Sequence, residues 1–202
     1  MFGIKKIILP VEVSARHLHL CKKDLEVLFG LGYELKVLKQ LSQPHDFACQ
    51  ETLRLETNSH ILENVRIVGP LRERTQVEVS KTDAVLLGLN APVRLSGNLE
   101  GSAPVTLQGP VGKVELPEGL IVARRHLHCS TQEAKEAKLK SGSLVSVEIK
   151  GERALTFHCV EVRVGDDYKM CLHLDTDEGN AAGINRAGQG VLHIIGYKAK
   201  EK

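Results

Sequence analysis

The chain has 202 residues, of which 42% are hydrophobic, and this length allows one sizeable domain or two small ones. Its formal net charge is +2, its basic residues are scattered, and only 3% of its residues are aromatic. A nucleic-acid-binding protein needs a concentrated cationic surface, so the composition argues against that function. No apolar run approaches the roughly 18 residues of a membrane helix, which argues against a membrane partner.

The cysteine pattern bears on the compartment. The five cysteines are odd in number and form no Cys-x-x-Cys pair. A disulfide framework is therefore disfavoured, and we expect a protein of a reducing cytoplasm. The first ten residues are too short, and enter a strand pattern too soon, to be a signal peptide.

Short alternating strands dominate the predicted elements, and Gly and Pro separate them. In chain order the pattern predicts a helix over residues 22–29, strands over 65–68 and 76–79, a helix over 82–87, a capped helix from 130 to about 140, and strands over 144–149, 160–164 and 172–174.

One tetrapeptide, Arg-His-Leu-His, occurs twice, at residues 16–19 and 125–128, with an offset of 109 (126 − 17). A second pair of similar segments, 82–90 and 176–185, shares Thr-Asp, Gly and Leu/Ile-Asn elements at an offset of 94 (176 − 82). The repeat predicts two pseudo-equivalent halves.

We therefore expect a mainly β protein of two pseudo-duplicated small β-barrel domains with a few short helices. Barrel closure would remove the exposed edges of such short strands. The approximate domains are residues 1–100 and 101–202, and the chain ends are free to cross between barrels.

Each Arg-His-Leu-His segment places two imidazoles on one face of a strand, because side chains at i and i+2 point the same way. The repeat also offers a third ligand in each half, Glu78 and His173, each between two apolar residues. We predict one metal held by His17, His19 and Glu78. The second metal would be held by His126, His128 and His173. Imidazole and carboxylate ligands favour zinc.

Other interpretations of these residues remain open. A single His-x-His strand is more often a solvated polar face, but its recurrence favours metal binding. Cys171 would share a face with His173 and is either an alternative ligand or a buried apolar neighbour. Arg72 lies in the loop before the Glu78 strand, where a guanidinium suits phosphate.

At this point the ordered motifs resemble a known family, the PduL-type phosphate propanoyltransferases, from about Pro10 to about Gly190. The segments that carry the resemblance are residues 13–19, 41–44, 63–66, 69–72, 75–80, 96–99 and 173–178.

The resemblance implies two β-barrels with a two-zinc site at their junction, and reversible transfer of a short acyl group, propanoyl or acetyl, between coenzyme A and inorganic phosphate. It puts the metal ligands on the six residues above and the phosphate-handling arginine on Arg72. The coenzyme A contacts that it implies are Lys39, Arg66, Ser96 and Asn180.

Two rival functions fit the same residues, a two-metal hydrolase and a non-catalytic barrel protein with zinc as a staple. Many members of the family carry an N-terminal extension for packaging into a bacterial microcompartment. Only nine residues precede Pro10, too few for that extension, so we expect either a free cytoplasmic enzyme or a chain trimmed at its N-terminus. A homo-oligomer and association with a microcompartment shell are left open.

Overall fold

A computed structural model describes residues 7–197 of the chain, and these residues form fourteen strands and four short helices. The elements are β1 (Ile7–Ser14), β2 (His17–His19), α1 (Lys22–Phe29), β3 (Val37–Gln40), β4 (Phe47–Glu56), β5 (Ile61–Gly69), β6 (Gln76–Val79), α2 (Lys81–Leu86), β7 (Val93–Arg94), β8 (Ala103–Gln108), β9 (Lys113–Ala123), β10 (His126–Cys129), α3 (Thr131–Ala137), β11 (Leu144–Ile149), β12 (Leu155–Val164), β13 (Cys171–Asp175), α4 (Thr176–Ala182) and β14 (Ala187–Tyr197).

The predicted strands and helices all occur, most of them with longer or slightly shifted bounds. The helix expected to run from residue 130 to about 140 ends at Ala137, because Lys138 adopts the left-handed conformation with φ 55°. α4 was not predicted, since its Gly and Asn residues are poor helix formers. A capping box between Asp175 and Glu178 stabilises its first turn.

The first compact unit of the chain, Ala15–Arg124, contains a closed barrel of six strands in the cyclic order β2-β5-β4-β8-β9-β6. Strands β3 and β7 extend this sheet at β4 and β9. The barrel interior holds a hydrophobic core with fully buried side chains such as Leu18, Ile67 and Leu120.

The second compact unit, described over residues 7–14 and 125–197, contains a closed barrel in the cyclic order β10-β12-β11-β14-β1-β13. Its core includes Leu127, Val162 and Leu172. Both barrels use the same sequence of parallel and antiparallel neighbours. The prediction of two pseudo-duplicated small barrels is therefore confirmed.

The units differ in extent from the approximate domains 1–100 and 101–202. β1 pairs with β13 and β14, so the N-terminal strand belongs to the barrel formed by the C-terminal half. β9, although beyond residue 100, pairs with β6 and β8 of the other barrel. Each strand that precedes an Arg-His-Leu-His segment thus lies in the barrel that does not contain that segment.

No helix among the described residues is both long and apolar enough to span a membrane. The first six residues, which include most of those preceding Pro10, lie outside the described part of the chain.

Candidate metal centres

The first candidate centre consists of His17, His19 and Glu78. β2 and β6 are antiparallel neighbours, and their register pairs His17 with Glu78. The intervening Leu18 belongs to the barrel core, so the two imidazoles project from the opposite face of β2. The ligand atoms of the three side chains lie within 4.8 Å of one another.

Backbone carbonyls orient both imidazoles of this centre. Nδ1 of His17 lies 2.9 Å from the Ala15 carbonyl oxygen, and Nδ1 of His19 lies 2.9 Å from that of Val68. A carbonyl can only accept, so each Nδ1–H donates, and in the neutral imidazole the lone pair is then on Nε2. The two Nε2 atoms lie 3.8 and 3.9 Å from the Glu78 carboxylate oxygens. Histidine ligands of metals are oriented in the same way.

The electrostatics of the first centre keep His19 and Glu78 in their metal-binding forms. Burial lowers the pKa of His19 to about 3, and charges on His17 and Arg72 act in the same direction. Burial alone would raise the pKa of Glu78. Its neighbours outweigh burial and lower that pKa to about 2, because the nearby imidazoles, the Ser96 hydroxyl and the Arg72 guanidinium favour the carboxylate. At neutral pH His19 is neutral and Glu78 is ionised, as ligation requires.

A polar network connects this centre to the loop that carries Ser96. Gln76 Nε2 donates to Glu78 Oε1 at 2.6 Å and to Ser96 Oγ at 2.9 Å, while Gln76 Oε1 accepts from the Gly97 amide at 2.7 Å. Arg72 Nη1 donates to Ser96 Oγ at 2.8 Å. The network therefore fixes the Arg72 guanidinium and the Glu78 carboxylate through one shared hydroxyl.

The second candidate centre, predicted as His126, His128 and His173, occupies the equivalent strands of the other barrel. β10 and β13 are antiparallel, and their register pairs His126 with His173. The centroids of the three rings lie 4.6 to 5.2 Å apart. Around His173 the ligand atoms that lie within 4.8 Å of one another are those of Glu12, Cys171 and His173, and among the described residues the three predicted histidines do not form such a group.

His128 is the most buried histidine of this second group. Its residue is 8% exposed, and both ring nitrogens are buried without a hydrogen-bond partner among the described residues. Burial lowers its pKa to about 2, with contributions from His126, His173 and Arg163. Tyr168 stacks on the ring at a centroid distance of 4.1 Å. A neutral imidazole with unsatisfied buried nitrogens costs free energy unless another group, such as a metal ion, binds it.

The arginines of the repeated tetrapeptide also occupy equivalent places. Arg16 Nη1 donates to Asp83 Oδ1 at 2.8 Å, and Arg125 Nη1 donates to Glu178 Oε1 at 2.5 Å. Asp83 and Glu178 are the third residues of the capped helices α2 and α4, which follow β6 and β13. Arg16 therefore connects the start of β2 with α2, the helix that follows β6. Arg125 in the same way connects the start of β10 with α4, the helix that follows β13. The counterpart of Asp83 is Glu178, at an offset of 95 (178 − 83), rather than Asp177 as the sequence similarity indicated.

The four residues implied as coenzyme A contacts lie in different surroundings. Ser96 belongs to the network of the first centre, and Arg66 is the register partner of His17 on β5. Arg66 Nη1 donates to the carbonyls of Cys49 and Gln50. The exposed Lys39 lies on β3 of the same unit, whereas the exposed Asn180 lies on α4 of the other unit. The coenzyme A role of all four stays a prediction.

The family model for phosphate propanoyltransferases matches residues 10–185. The chain belongs to the phosphate propanoyltransferase family. A phosphate propanoyltransferase of Lachnoclostridium phytofermentans is 49% identical over 87% of this chain and 82% of its own length. The phosphate propanoyltransferase of Shewanella putrefaciens is 47% identical over 93% of this chain and 88% of its own length. That of Salmonella typhimurium is 46% identical over 88% of this chain and 84% of its own length. The resemblance seen in the sequence is confirmed, and with it the class of enzyme, a phosphate acyltransferase.

Some residues of this phosphate propanoyltransferase family member were not singled out from its sequence. Gln76 could have been found, because it lies two residues before Glu78 and so shares its face of β6. Asp46 could not have been found, because it lies in a loop outside the repeat. Burial raises the pKa of its carboxyl group, Arg72 and His17 lower that pKa, and Glu78 raises it. The stacking of Tyr168 on His128 likewise joins segments that no sequence spacing relates.

Proposed function

We propose that the chain catalyses reversible transfer of a short acyl group, propanoyl or acetyl, between coenzyme A and inorganic phosphate, at a centre of two zinc ions. His17, His19 and Glu78 would hold one ion. His126, His128 and His173 would hold the other. The observation that carries the proposal is the first centre, where two oriented imidazoles face an ionised carboxylate and Arg72 is held beside them.

The donor sets fit zinc. The first centre offers two Nε2 atoms and one carboxylate, and the second contains His128, whose buried ring nitrogens have no hydrogen-bond partner in residues 7–197. Three protein ligands with an open position are typical of catalytic zinc. When bound, zinc would supply Lewis acidity toward the thioester carbonyl and a site for a thiolate.

The side chains around the first centre would handle phosphate. In the forward direction a phosphate oxygen attacks the thioester carbonyl carbon, the carbon–sulfur bond breaks, and coenzyme A leaves as the thiolate. Arg72 offers a rigid set of donors that suits phosphate oxygens, and Ser96 keeps one of its nitrogens in place. Arg72 would thus position phosphate and offset the charge that develops in the transition state.

The coenzyme A contacts are proposed with the same function. Lys39 and Arg66 would bind phosphate groups of the cofactor, and Ser96 and Asn180 would supply hydrogen bonds. Lys39 is exposed and has a long, flexible side chain, which suits a contact with the outer end of a large substrate.

A product assay separates this function from hydrolysis by a two-metal enzyme. Propanoyl phosphate or acetyl phosphate is mixed with coenzyme A and the zinc-loaded protein. We expect acyl-coenzyme A and inorganic phosphate in equal amounts. Free acid formed at the same rate with or without coenzyme A would establish the hydrolase instead.

A second assay addresses the alternative of zinc as a structural staple. The metal is removed with a chelator, and circular dichroism is recorded beside acyl transfer activity. We expect activity to disappear while most of the strand signal remains, and to return when zinc is added. Global unfolding on metal removal would favour the staple.

Arg72→Ala tests the proposed phosphate contact. We expect turnover to fall by about 10² to 10³, as for other removed transition-state donors, with an unchanged zinc content. Arg74→Ala is the matched control, because Arg74 lies in the same loop with its side chain 63% exposed and only a 4.0 Å contact to Glu118. Equal turnover of the two variants would remove Arg72 from this role.

A further inference from the structure

Arg163 lies beside the second centre, on a strand that holds none of the proposed metal ligands. β12 runs parallel to β10, and their register pairs Arg163 with His128. The residues before them, Val162 and Leu127, are register partners too and belong to the barrel core. Side chains alternate along a strand, so the Arg163 and His128 side chains leave the barrel together on the face opposite its core. Arg163 is therefore a neighbour of the most buried histidine of that centre.

The charge of Arg163 acts on the His128 ring. Burial is the largest cause of the low His128 pKa, followed by the charges of His126, His173 and Arg163. Neighbouring strands lie about 4.8 Å apart, a distance that the long arginine side chain spans easily. Arg163 is half-buried, so water only partly screens its charge. Its guanidinium thus lies at the edge of the second centre rather than in bulk solvent.

Arg163 differs in its partners from the arginines that flank the other histidines. Arg125 donates to the Glu178 carboxylate, and Arg66 donates to two backbone carbonyls. The guanidinium of Arg163 forms no hydrogen bond or ion pair with any other described residue. A guanidinium carries five N–H donors and stays charged in proteins. Partly removing it from water without a partner costs free energy, so its donors suit an anion from outside the chain.

The repeat shows that strand pairing does not require an arginine at this position. In the first barrel β5 is the parallel neighbour of the histidine strand, and Arg66 is paired with His17. Two residues later Val68 occupies the place that corresponds to Arg163, and its carbonyl accepts the hydrogen bond of His19. An apolar residue thus lies beside the second histidine of one barrel, whereas the other barrel has a cation there. This difference favours a role of Arg163 in binding rather than in folding.

We propose that Arg163 binds a phosphate group of a substrate at the second centre, an inference that rests on the acyl transfer function proposed above. Inorganic phosphate, the acyl phosphate and coenzyme A all carry phosphate oxygens. A guanidinium binds two such oxygens at once through charge-assisted hydrogen bonds. The three histidines would be neutral ligands, so a zinc ion there would keep positive charge that adds to the attraction. Arg163 forms no covalent bond in this role and orients the anion for the reaction.

Binding measured without turnover tests the contact. Inorganic phosphate and coenzyme A are each titrated into the zinc-loaded protein by calorimetry, in the absence of an acyl donor. We expect Arg163→Gln to lose affinity by about 10-fold or more, as for the loss of a hydrogen bond to a charged group. Weaker binding of inorganic phosphate, with or without that of coenzyme A, assigns Arg163 to inorganic phosphate. Weaker binding of coenzyme A alone assigns it to a phosphate of the cofactor. Wild-type affinity for both would overturn the proposal.

Two further variants separate geometry from net charge. Arg163→Lys keeps the charge without the planar guanidinium and should recover part of the lost affinity. Lys150→Gln is the matched control, because it removes one exposed positive charge from the turn between β11 and β12, at the far end of β12 from Arg163. It should bind both ligands as the wild type does. Equal losses in Lys150→Gln and Arg163→Gln would show an effect of net charge alone and would overturn the contact.

Zinc content separates a substrate contact from a structural role. Arg163→Gln should keep the zinc content and the circular dichroism of the wild type, since it removes no proposed ligand. A folded variant that loses zinc would mean that Arg163 holds His128 in place, and this result would overturn the proposal.

The inference and the proposed function fail in different ways. Acyl transfer with unchanged KM values in Arg163→Gln would remove the contact and leave the enzyme function intact. Phosphate binding that depends on Arg163, in a protein that forms no acyl-coenzyme A, would support the contact and refute the function.

Discussion

The ion pair between Arg16 and Asp83 tests how the repeat holds its ligand strands together. The Asp83 side chain is only 6% exposed, whereas that of Arg16 is 44% exposed. Arg16→Ala removes a charged donor from the buried Asp83 carboxylate and leaves it the Ser80 amide of its own helix turn, 3.5 Å away. A hydrogen bond to a charged group contributes about 1.5–3 kcal/mol. Because solvent reaches Arg16, we expect the lower end, a loss of about 1.5 kcal/mol in the free energy of unfolding.

Asp83→Ala should cost more, because it also removes the capping box with Ser80, worth about 1 kcal/mol. We therefore expect a loss of about 2.5 kcal/mol. The double variant should lose about as much as Asp83→Ala alone, since Arg16 then has no carboxylate to bind. The coupling energy of the pair is then about 1.5 kcal/mol. Urea unfolding of the zinc-loaded protein, followed by circular dichroism, gives all four values.

The matched control is the pair Arg54–Glu63, which has a short contact of 2.7 Å but side chains 41% and 53% exposed. Its coupling energy should be smaller than that of Arg16 and Asp83, because solvent reaches both side chains. A coupling energy below about 0.5 kcal/mol for Arg16 and Asp83 would refute the reasoning, because distant and independent sites show as much. Equal values for the two pairs would show that the burial of Asp83 is not the cause.

Three further outcomes are expected. Gln76→Leu removes the amide that donates to Glu78 and Ser96, and should weaken zinc binding at the first centre by about 10–100-fold in a chelator competition. Unchanged zinc affinity would show that the amide does not orient the Glu78 carboxylate. The melting temperature of the metal-free protein should fall from pH 7 to pH 5. In the folded state His19 and His128 have pKa values of about 3 and 2, below the usual 6.5, so the unfolded state binds more protons as the pH falls through 6.5. A melting temperature that does not change with pH would contradict those values. Gly190→Ala should destabilise the second barrel by about 1–3 kcal/mol in urea unfolding, since its Cβ would lie 2.5 Å from a core side-chain carbon, and wild-type stability would mean that the core can yield there.

Each histidine pair could be placed on one face of a strand from the sequence, because that signal is local. Two side chains at i and i+2 of one strand share a face in any sheet, whatever its partners. Glu78 and His173 were reached through the repeat, which carries long-range information that a single strand lacks. The register that pairs them with His17 and His126 agrees with that placement.

Other parts of the fold could not be predicted from local patterns. The barrel to which β1 or β9 belongs depends on long-range pairing, and the sequence of neither strand specifies its partner. β1 pairs with β13 across more than a hundred residues, and β9 pairs with β6. The link from Gln76 to Ser96 joins a strand to a loop outside the repeat. The partners of Arg16 and Arg125 were not predicted. The sequence similarity of the two halves aligns Asp83 with Asp177, whereas the structural counterpart of Asp83 is Glu178.

The duplication explains why the two centres share a frame yet differ in chemistry. Both barrels place four side chains on the antiparallel strand pair, and only two positions differ, Gln76 against Cys171 and Glu78 against His173. Two neutral histidines and a carboxylate would leave a zinc ion with a net charge of +1. Three histidines alone would leave +2, and the Glu12 side chain, which has an oxygen within 4.8 Å of a ligand atom of His173, is the acidic group beside them. Burying the lower charge costs less, so the exchange of glutamate for histidine on β13 goes with an acidic residue, Glu12, at its register partner on β1, where the partner of Glu78 on β9 is the apolar Ile121.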